Sequence, residues 1–503
     1  MTTAPISSAE ARRAARNASA IAAATLLSRG MQFAWQLIFS AIVGPALLGV
    51  YGTVSGFIQI GTTIATFGMS PIVIRDVARH PHQAGKYLSA TLILQTLLSL
   101  LAYVALNAAA HAGGYSEAVR VFLALAAVNL IIDTLGNQCF DLLLAREQMI
   151  TTSIVSIAHI VLLIILAGVG LASGYSLFGV YAGVTLAGIA RTIALWLLAW
   201  RANIRPVWPF DRQIARPLLI NSLPLAFSAF LSLAYQQLDK LVTNRLIGDT
   251  ETGYLVAAFV IFFGVVELLN TTIITAMYPL MSRSYGDGSN PQFGFMAEKL
   301  AFFTLLICLP ITLVISFFAP QLTAPIWRAE LQPAAAVLSL LIWYALVMMV
   351  GNIFAQSLLV QNRQRLLVLM RISGLVVNLF MLFLLLPRYG VHGAPIASIL
   401  AEAVVFALLL YNFRAAGWSF RRVAPRVFRL LLVGLAAALV MLLLRAALWP
   451  LAIALGLLLY LAGILILRVL APDDWDFLYR LIAALPGGSL IRRVWRRDTP
   501  VNW

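Results

Sequence analysis

The chain has 503 residues, 61% of them hydrophobic and 11% charged, with a formal net charge of +16. Soluble domains carry roughly a quarter of their residues as charged groups, so this composition excludes a soluble enzyme and reads as a polytopic helical membrane protein. The basic residues cluster at the ends of apolar runs, where they orient helices, and this removes nucleic acid as a partner.

The first 19 residues, "MTTAPISSAEARRAARNAS", are basic and expected to be cytoplasmic. The run after them is long enough to span, so no cleavable signal is expected. Fourteen apolar spans follow, at approximately 20–43, 47–71, 87–110, 118–143, 151–173, 177–200, 223–247, 252–280, 299–320, 333–357, 364–386, 392–413, 427–447 and 450–470. Turns rich in Gly, Pro, Asn and Ser separate them, as in "VGPALLG", "LASGYS", "IGDTETG" and "PRYGVHG".

Polar residues inside these spans recur at helical spacing. Span 1 carries Arg29, Gln32, Gln36 and Ser40, with Arg29 about ten residues into the apolar run, a depth of roughly 15 Å. Span 2 carries Ser55, Gln59, Thr62, Thr66 and Ser70, and span 4 carries Asn129, Asp133 and Asn137. His159 in span 5 reads as a satisfied or partner-facing histidine. Span 7 holds Ser228, Ser232, Tyr235, Gln236, Asp239, Lys240 and Thr243; span 8 holds Glu267, Asn270, Thr271 and Thr275; span 10 holds Asn352 and Gln356. Arg191 and Glu402 sit in spans 6 and 12. A hydrophilic space lined by spans 1, 2, 4, 7, 8 and 10 follows, with the apolar spans facing lipid. The hydroxyl and amide residues equally suit hydrogen bonds between helices. The ionised ones point to function, because a buried charge costs several kcal/mol unless it is paired or wet. Asp239 with Lys240, and Arg191 and Glu402, also read as structural charges.

Known chemistries are mostly absent. Lys86, Lys240 and Lys299 are the chain's lysines, and none follows Gly-x-x-x-x-Gly, which excludes a P-loop. No His-Glu-x-x-His or cysteine cluster is present, so neither a metal nor another cofactor is expected; Cys139 and Cys308 read as small buried hydrophobes. Any energy must come from an ion gradient or the membrane potential, with Asp133, Asp239, Glu267 and Glu402 as the acids available for coupling to a proton or sodium ion.

With a cytoplasmic N-terminus, 27 of the 35 Lys and Arg fall on the inner side, five fall outside, and Arg29, Arg191 and Lys240 are embedded. That bias supports an even span number and two cytoplasmic termini. The chain also repeats itself: "IVGPALLGVY" (42–51) resembles "LIGDTETGYL" (246–255), and "GNQCFDLLLAREQ" (136–148) resembles "GNIFAQSLLVQNR" (351–363). Each half then holds six helices, and the two halves are parallel about an axis along the membrane normal. The expected divisions are 1–19, a first lobe 20–210, a second lobe 211–415, two further spans over 416–471, and a basic cytoplasmic tail 472–503.

The stretch "LLSRGMQFAWQLIFSAIVGPALLGVYGTVSGFIQIGTTIATFGMSPIVIRDVAR" (26–79) resembles the N-terminal signature of Wzx-type flippases for lipid-linked oligosaccharides. These belong to the multidrug/oligosaccharidyl-lipid/polysaccharide exporter superfamily. "SLPLAFSAFLSLAYQQLDKLVTNRLIGDTETGYLVAA" (222–258) resembles their second-half signature, and "LLVQNRQRLLVLMRISGLVVNLF" with "RYGVHGAPIASILAE" resembles their span 10–12 region. The resemblance implies two six-helix lobes in a V, alternating access, and movement of a polyprenyl-diphosphate-linked sugar from the cytoplasmic to the outer leaflet of a bacterial inner membrane. It further implies a monomer working beside polysaccharide polymerase machinery. Arg29 would meet the diphosphate, with Lys240 opposite; Trp35 and Tyr235 would stack on sugar rings, and Gln36 and Gln59 would line the path. An ion-coupled multidrug/cation antiporter of the same superfamily is the alternative, favoured by the embedded acids. A membrane-embedded glycan polymerase or ligase is the third reading; such enzymes carry a large outer loop, whereas here no outer loop exceeds about ten residues.

Overall fold

Long uninterrupted apolar stretches leave helices as the economical way to satisfy every backbone group in lipid. The computed structural model describes residues 8–285, 291–413, 418–445, 448–471 and 474, with side chains from Thr25 onward except 268, 270–285, 291 and 420. Among these residues every regular element is helical. The α-helices are α1 (Ser8–Ile42), α2 (Pro45–Thr66), α3 (Ser70–Arg79), α4 (Ala84–Ala112), α5 (Glu117–Ala145), α6 (Met149–Ala172), α7 (Ser176–Arg201), α8 (Arg212–Ile247), α9 (Asp249–Tyr285), α10 (Pro291–Thr323), α11 (Ala334–Val360), α12 (Gln364–Tyr389), α13 (Gly393–Asn412), α14 (Phe420–Leu444) and α15 (Trp449–Ile466). Most of the basic tail 472–503 lies outside the described residues.

Each expected span but the second falls on one long helix, but by length and apolar character twelve stretches among the described residues can cross a membrane, against fourteen expected. One of the twelve, Gln364–Asn412, contains both α12 and α13, which a 3-10 turn at Gly390–His392 separates. Helix α1 is not among the twelve; Arg29, Gln32 and Gln36 dilute its apolar run.

Two boundaries differ from the sequence expectation. Span 2 breaks after Thr66: Phe67 (φ 49°) and Gly68 (φ 65°) are both left-handed, and Phe67 N–H closes the helix on the Thr63 carbonyl. Ser70 therefore begins α3 rather than extending the Ser55–Thr66 stripe. Span 7 starts early, at Arg212, where Asp211 caps α8 by accepting from the Gln213 N–H at 2.9 Å. The Lys86 ammonium, 3.2 Å away, and that same N–H hold the Asp211 carboxyl below its usual range.

The chain divides into two compact units. One comprises residues 1–261, 326–337 and 371–398; the other comprises 262–325, 338–370 and 399–503. In the first, α6 and α7 pack along each other, α5 packs against α2, α4 and α7, and α2 lies against α8. Thr192 Oγ1 donates to the Ile132 carbonyl at 2.9 Å and Trp196 Nε1 to that of Leu135 at 3.0 Å, stitching α7 to α5. Met69, Val73, Leu88, Cys139, Leu142 and Leu195 form part of its apolar core.

The reciprocal contact between α2 and α9 carries the internal repeat into three dimensions. Gly49 meets the backbone of Asp249, the first residue of α9, and Gly253 meets that of Pro45, the first residue of α2. The pairs Gly44/Gly248, Pro45/Asp249 and Gly49/Gly253 share one sequence offset. Contacts in which residue i touches j′ while i′ touches j are what a local two-fold axis produces. The second motif repeats its contact too. Gly136 faces Thr192 of α7, and Gly351 faces Glu402 and Phe406 of α13.

The second unit has its own core, built around Phe293, Phe318, Met349, Phe354, Leu430 and Met441. Helices α14 and α15 pair with each other and pack on α10; Tyr460 Oη donates to the Leu306 carbonyl at 2.9 Å. Asp474 lies 3.3 Å from Lys299 and 3.6 Å from Arg426, while Arg422 lies 3.9 Å from Glu298. The last two helices are thus clasped onto α10 by buried charge as well as apolar contact.

Both native cysteines are free and buried, which permits a clean topology test. Cysteines introduced at 248–253 should react with an impermeant maleimide in intact cells, and those at Arg212 or Arg422 only after the cells are opened. Labelling at 422 from outside would overturn the topology with both termini inside.

Candidate functional site

The first unit collects most of the polar residues singled out above. On α1, Arg29, Gln32 and Gln36 are exposed along one face. Next to that stripe Trp35 turns inward, 5.9 Å from the Phe39 ring and close to Gly168 of α6. Phe39 continues to Tyr51 and Tyr181, forming an aromatic ladder from α1 through α2 to α7. One side of α1 thus packs while the other presents a cation and two amides. A permanent cation at this depth does not face hydrocarbon; it is paired or wet.

Helix α8 splits the same way. Ser228, Ser232 and Gln236 are exposed one turn apart, whereas Tyr235, Gln237, Asp239, Lys240 and Thr243 are buried. Lys240 is 8% exposed. Its ammonium donates to Gln237 Oε1 at 3.0 Å and lies 5.4 Å from the Phe259 ring centroid. Gln237 Nε2 in turn donates to Gln59 Oε1 at 2.9 Å, and Gln59 on α2 is exposed. The lysine therefore reaches the surface of the unit through two amides rather than directly.

Asp239 points to a different set of groups. Ser398 Oγ of α13 donates to its Oδ2 at 2.8 Å, and Asn378 of α12 lies against the same carboxylate. Asp239 is 4% exposed and Asn378 2%. Asp239 Oδ1, Asn378 Oδ1 and Thr243 Oγ1 are buried without a hydrogen-bond partner among the described residues. An unpartnered carboxylate oxygen with the unpartnered oxygen of the neighbouring Asn378 suits a proton or a small cation.

A second charged group lies between α5 and α7. Arg191 donates to Asn137 Oδ1 at 2.7 Å, sits 3.8 Å from Asp133, and covers the Phe140 ring at 5.8 Å. Asn129, Asp133, Asn137 and Asp141 run down one face of α5 at four-residue spacing. Arg191 is 13% exposed and Asp133 46%, so the acid opens outward while the arginine is held inside.

The structure therefore brings Arg29, Trp35, Gln36, Gln59, Asp133, Arg191, Tyr235, Asp239 and Lys240 into one unit and sets Glu267 and Glu402 in the other. Glu267 is half-buried and Glu402 buried. The side chains of Asn270, Thr271 and Thr275 lie outside the described residues. Sequence reasoning missed Gln237, Asn378 and Ser398; an amide such as Asn378 in an otherwise apolar helix was the available signal for one of them.

Comparison with known proteins places this geometry in context. The polysaccharide biosynthesis protein family model matches residues 14–285, and the MatE family model matches 224–384. The probable low-salt glycan biosynthesis flippase Agl15 of Haloferax volcanii is 21% identical over 423 residues, covering 80% of this chain and 86% of that protein. The capsular polysaccharide biosynthesis protein CapF of Staphylococcus aureus is 20% identical over 220 residues, covering 44% of this chain and 55% of that protein. Among solved structures, the lipid II flippase MurJ in an inward closed conformation superposes with a TM-score of 0.72 at 13% identity, covering 89% of this chain and 98% of MurJ. An inward-facing multidrug resistance MATE family transporter superposes with a TM-score of 0.59 at 17% identity, covering 76% of this chain and 93% of that one. At these identities the two structures establish the fold.

Proposed function

Because the chain belongs to the polysaccharide biosynthesis protein family, within the multidrug/oligosaccharidyl-lipid/polysaccharide exporter superfamily, we propose that it is a flippase for a polyprenyl-diphosphate-linked oligosaccharide. It carries its substrate from the cytoplasmic to the outer leaflet of a bacterial inner membrane by alternating access, with both termini cytoplasmic. The repeat halves 20–210 and 211–415 are the bodies that move. It works as a monomer, coupled to a proton or sodium ion, and delivers to polysaccharide polymerase machinery.

The observation that carries this reading is the exposed Arg29–Gln32–Gln36 face of α1. A diphosphate is a dianion or more, and a guanidinium meets it with two parallel hydrogen bonds. The neighbouring amides suit sugar hydroxyls. The extended relationship to a glycan flippase supports the same substrate class. The antiporter alternative draws on the MatE match over 224–384 and on the embedded acids, but that match covers less of the chain than the polysaccharide one.

Arg29 supplies the test. In a flippase-null strain, Arg29→Ala should abolish complementation while the protein accumulates normally in the membrane. Arg29→Lys keeps the charge and loses the planar fork, so it should complement partly. Full complementation by Arg29→Ala would remove Arg29 from the substrate path. Efflux of cationic drugs by the wild type, without flipping of lipid-linked sugar, would favour the antiporter.

A further inference from the structure

Arg371 occupies the second turn of α12, seven residues after Gln364, which places it roughly 10 Å into the helix. Its Cζ lies 5.8 Å from the centroid of the Tyr235 ring. Tyr235 is twelve residues before the end of α8 at Ile247, about 18 Å along that helix and thus near the middle of a ~30 Å core. Tyr235 is 5% exposed, whereas Arg371 is half-buried. The buried ring is the seat and the guanidinium is the accessible partner.

Two other embedded cations of this unit, Arg191 and Lys240, are provided for by the protein. Arg191 has Asn137 and Asp133, and Lys240 has Gln237. Arg371 has the Tyr235 face, but no carboxylate and no hydrogen-bond acceptor among the described residues. A cation–π contact uses the face of the ring and supplies no hydrogen-bond acceptor, so the guanidinium keeps donors for a ligand. A half-buried arginine inside a candidate span, with unfilled donors, is suited to an oxyanion.

We propose that Arg371, seated over the Tyr235 ring, binds the diphosphate of the lipid-linked substrate, so that α12 contributes a cation to the binding path along with Arg29 of α1. This assignment rests on the flippase reading and adds to it a residue and a seat. Tyr235 thereby acts as a positioning residue, through the arginine.

The test measures binding of farnesyl diphosphate, with farnesol as control, to the purified full-length protein in phosphatidylcholine nanodiscs. The wild type should bind the diphosphate and not the alcohol. Arg371→Gln should raise the Kd about tenfold or more, Arg371→Lys should lie between, and Tyr235→Phe should match the wild type because its ring remains. Tyr235→Leu should weaken binding severalfold, with the thermal midpoint of Arg371→Gln unchanged. Diphosphate binding by the wild type that Arg371→Gln leaves intact would overturn this assignment alone. Loss of protein stability in Arg371→Gln with an unchanged Kd would also overturn it, as a structural role. Absence of diphosphate binding in the wild type would overturn both this assignment and the flippase reading. Complete displacement of the probe by phosphatidylglycerol would assign Arg371 to bulk headgroups and overturn the diphosphate role.

Discussion

Gly49→Val and Gly253→Val will each abolish accumulation of folded protein, and Gly30→Ala will leave it unchanged. A Cβ on Gly49 collides with the Asp249 carbonyl, and one on Gly253 collides with that of Pro45. Neither obstacle is a flexible side chain. Both are helix backbone, so relief requires α2 and α9 to separate. Small residues at such crossings let membrane helices approach closely enough for dispersion to hold them. Overpacking costs about 1–3 kcal/mol even where side chains can adjust, and here they cannot. Against a total stability of about 5–15 kcal/mol, valine should unfold the protein. Alanine at either site brings the same Cβ against the same backbone and should already reduce accumulation sharply. Gly30 has nothing within 4 Å of its would-be Cβ, and Gly56 has only ordinary contact at 3.4 Å. Gly56→Ala should therefore fall near the wild type. Wild-type abundance and thermal midpoint in Gly49→Val would show that the α2–α9 contact is not tight in the membrane.

The repeat that predicts this contact was legible in the chain as Gly44/Gly49 against Gly248/Gly253, because close helix approach demands glycine and leaves a spacing to read. Long helices were legible for an equally direct reason: apolar length is what lipid selects. The break at Phe67 was not, since a left-handed phenylalanine has no marker beyond the glycine after it. The early start of α8 was hidden because Arg212–Asn221 carries polar residues that hydropathy discounts, although Asp211 stands at its cap position. In the candidate site, embedded charges were readable and their exposure was not. Arg29 and Lys240 look alike in sequence, yet Arg29 is exposed and Lys240 is buried against Gln237 and Phe259. Which face a residue takes depends on neighbours far away in the chain. Arg371 was invisible for the same reason. Its position near the start of a span reads as ordinary topology, and only Tyr235, brought up from α8, sets it apart.

Asp239→Asn will uncouple transport while leaving the fold and substrate binding in place. The carboxylate is 4% exposed, and one oxygen accepts from Ser398. The other has no hydrogen-bond partner among the described residues. Lys240 follows it in sequence but directs its ammonium to Gln237. An ionised carboxylate in that setting costs several kcal/mol. The cost disappears when the group takes up a proton or a small cation, and that exchange is what a gradient can drive. The orphaned oxygen of Asn378 gives a cation a further ligand, and Ser398 gives a protonated carboxyl a neighbour. Asparagine keeps the size and the acceptor for Ser398 but cannot change charge. Gradient-driven flipping in proteoliposomes should therefore fall at least about tenfold, equivalent to 1.4 kcal/mol, with probe binding and thermal midpoint near the wild type. Ser398→Ala should have a smaller effect, because one neutral hydrogen bond contributes only about 1 kcal/mol. Imposing a sodium gradient at fixed pH, and then a proton gradient without sodium, identifies the ion. Asp239→Asn that responds to either gradient as the wild type does would make Asp239 a structural carboxylate and move coupling to the remaining acids.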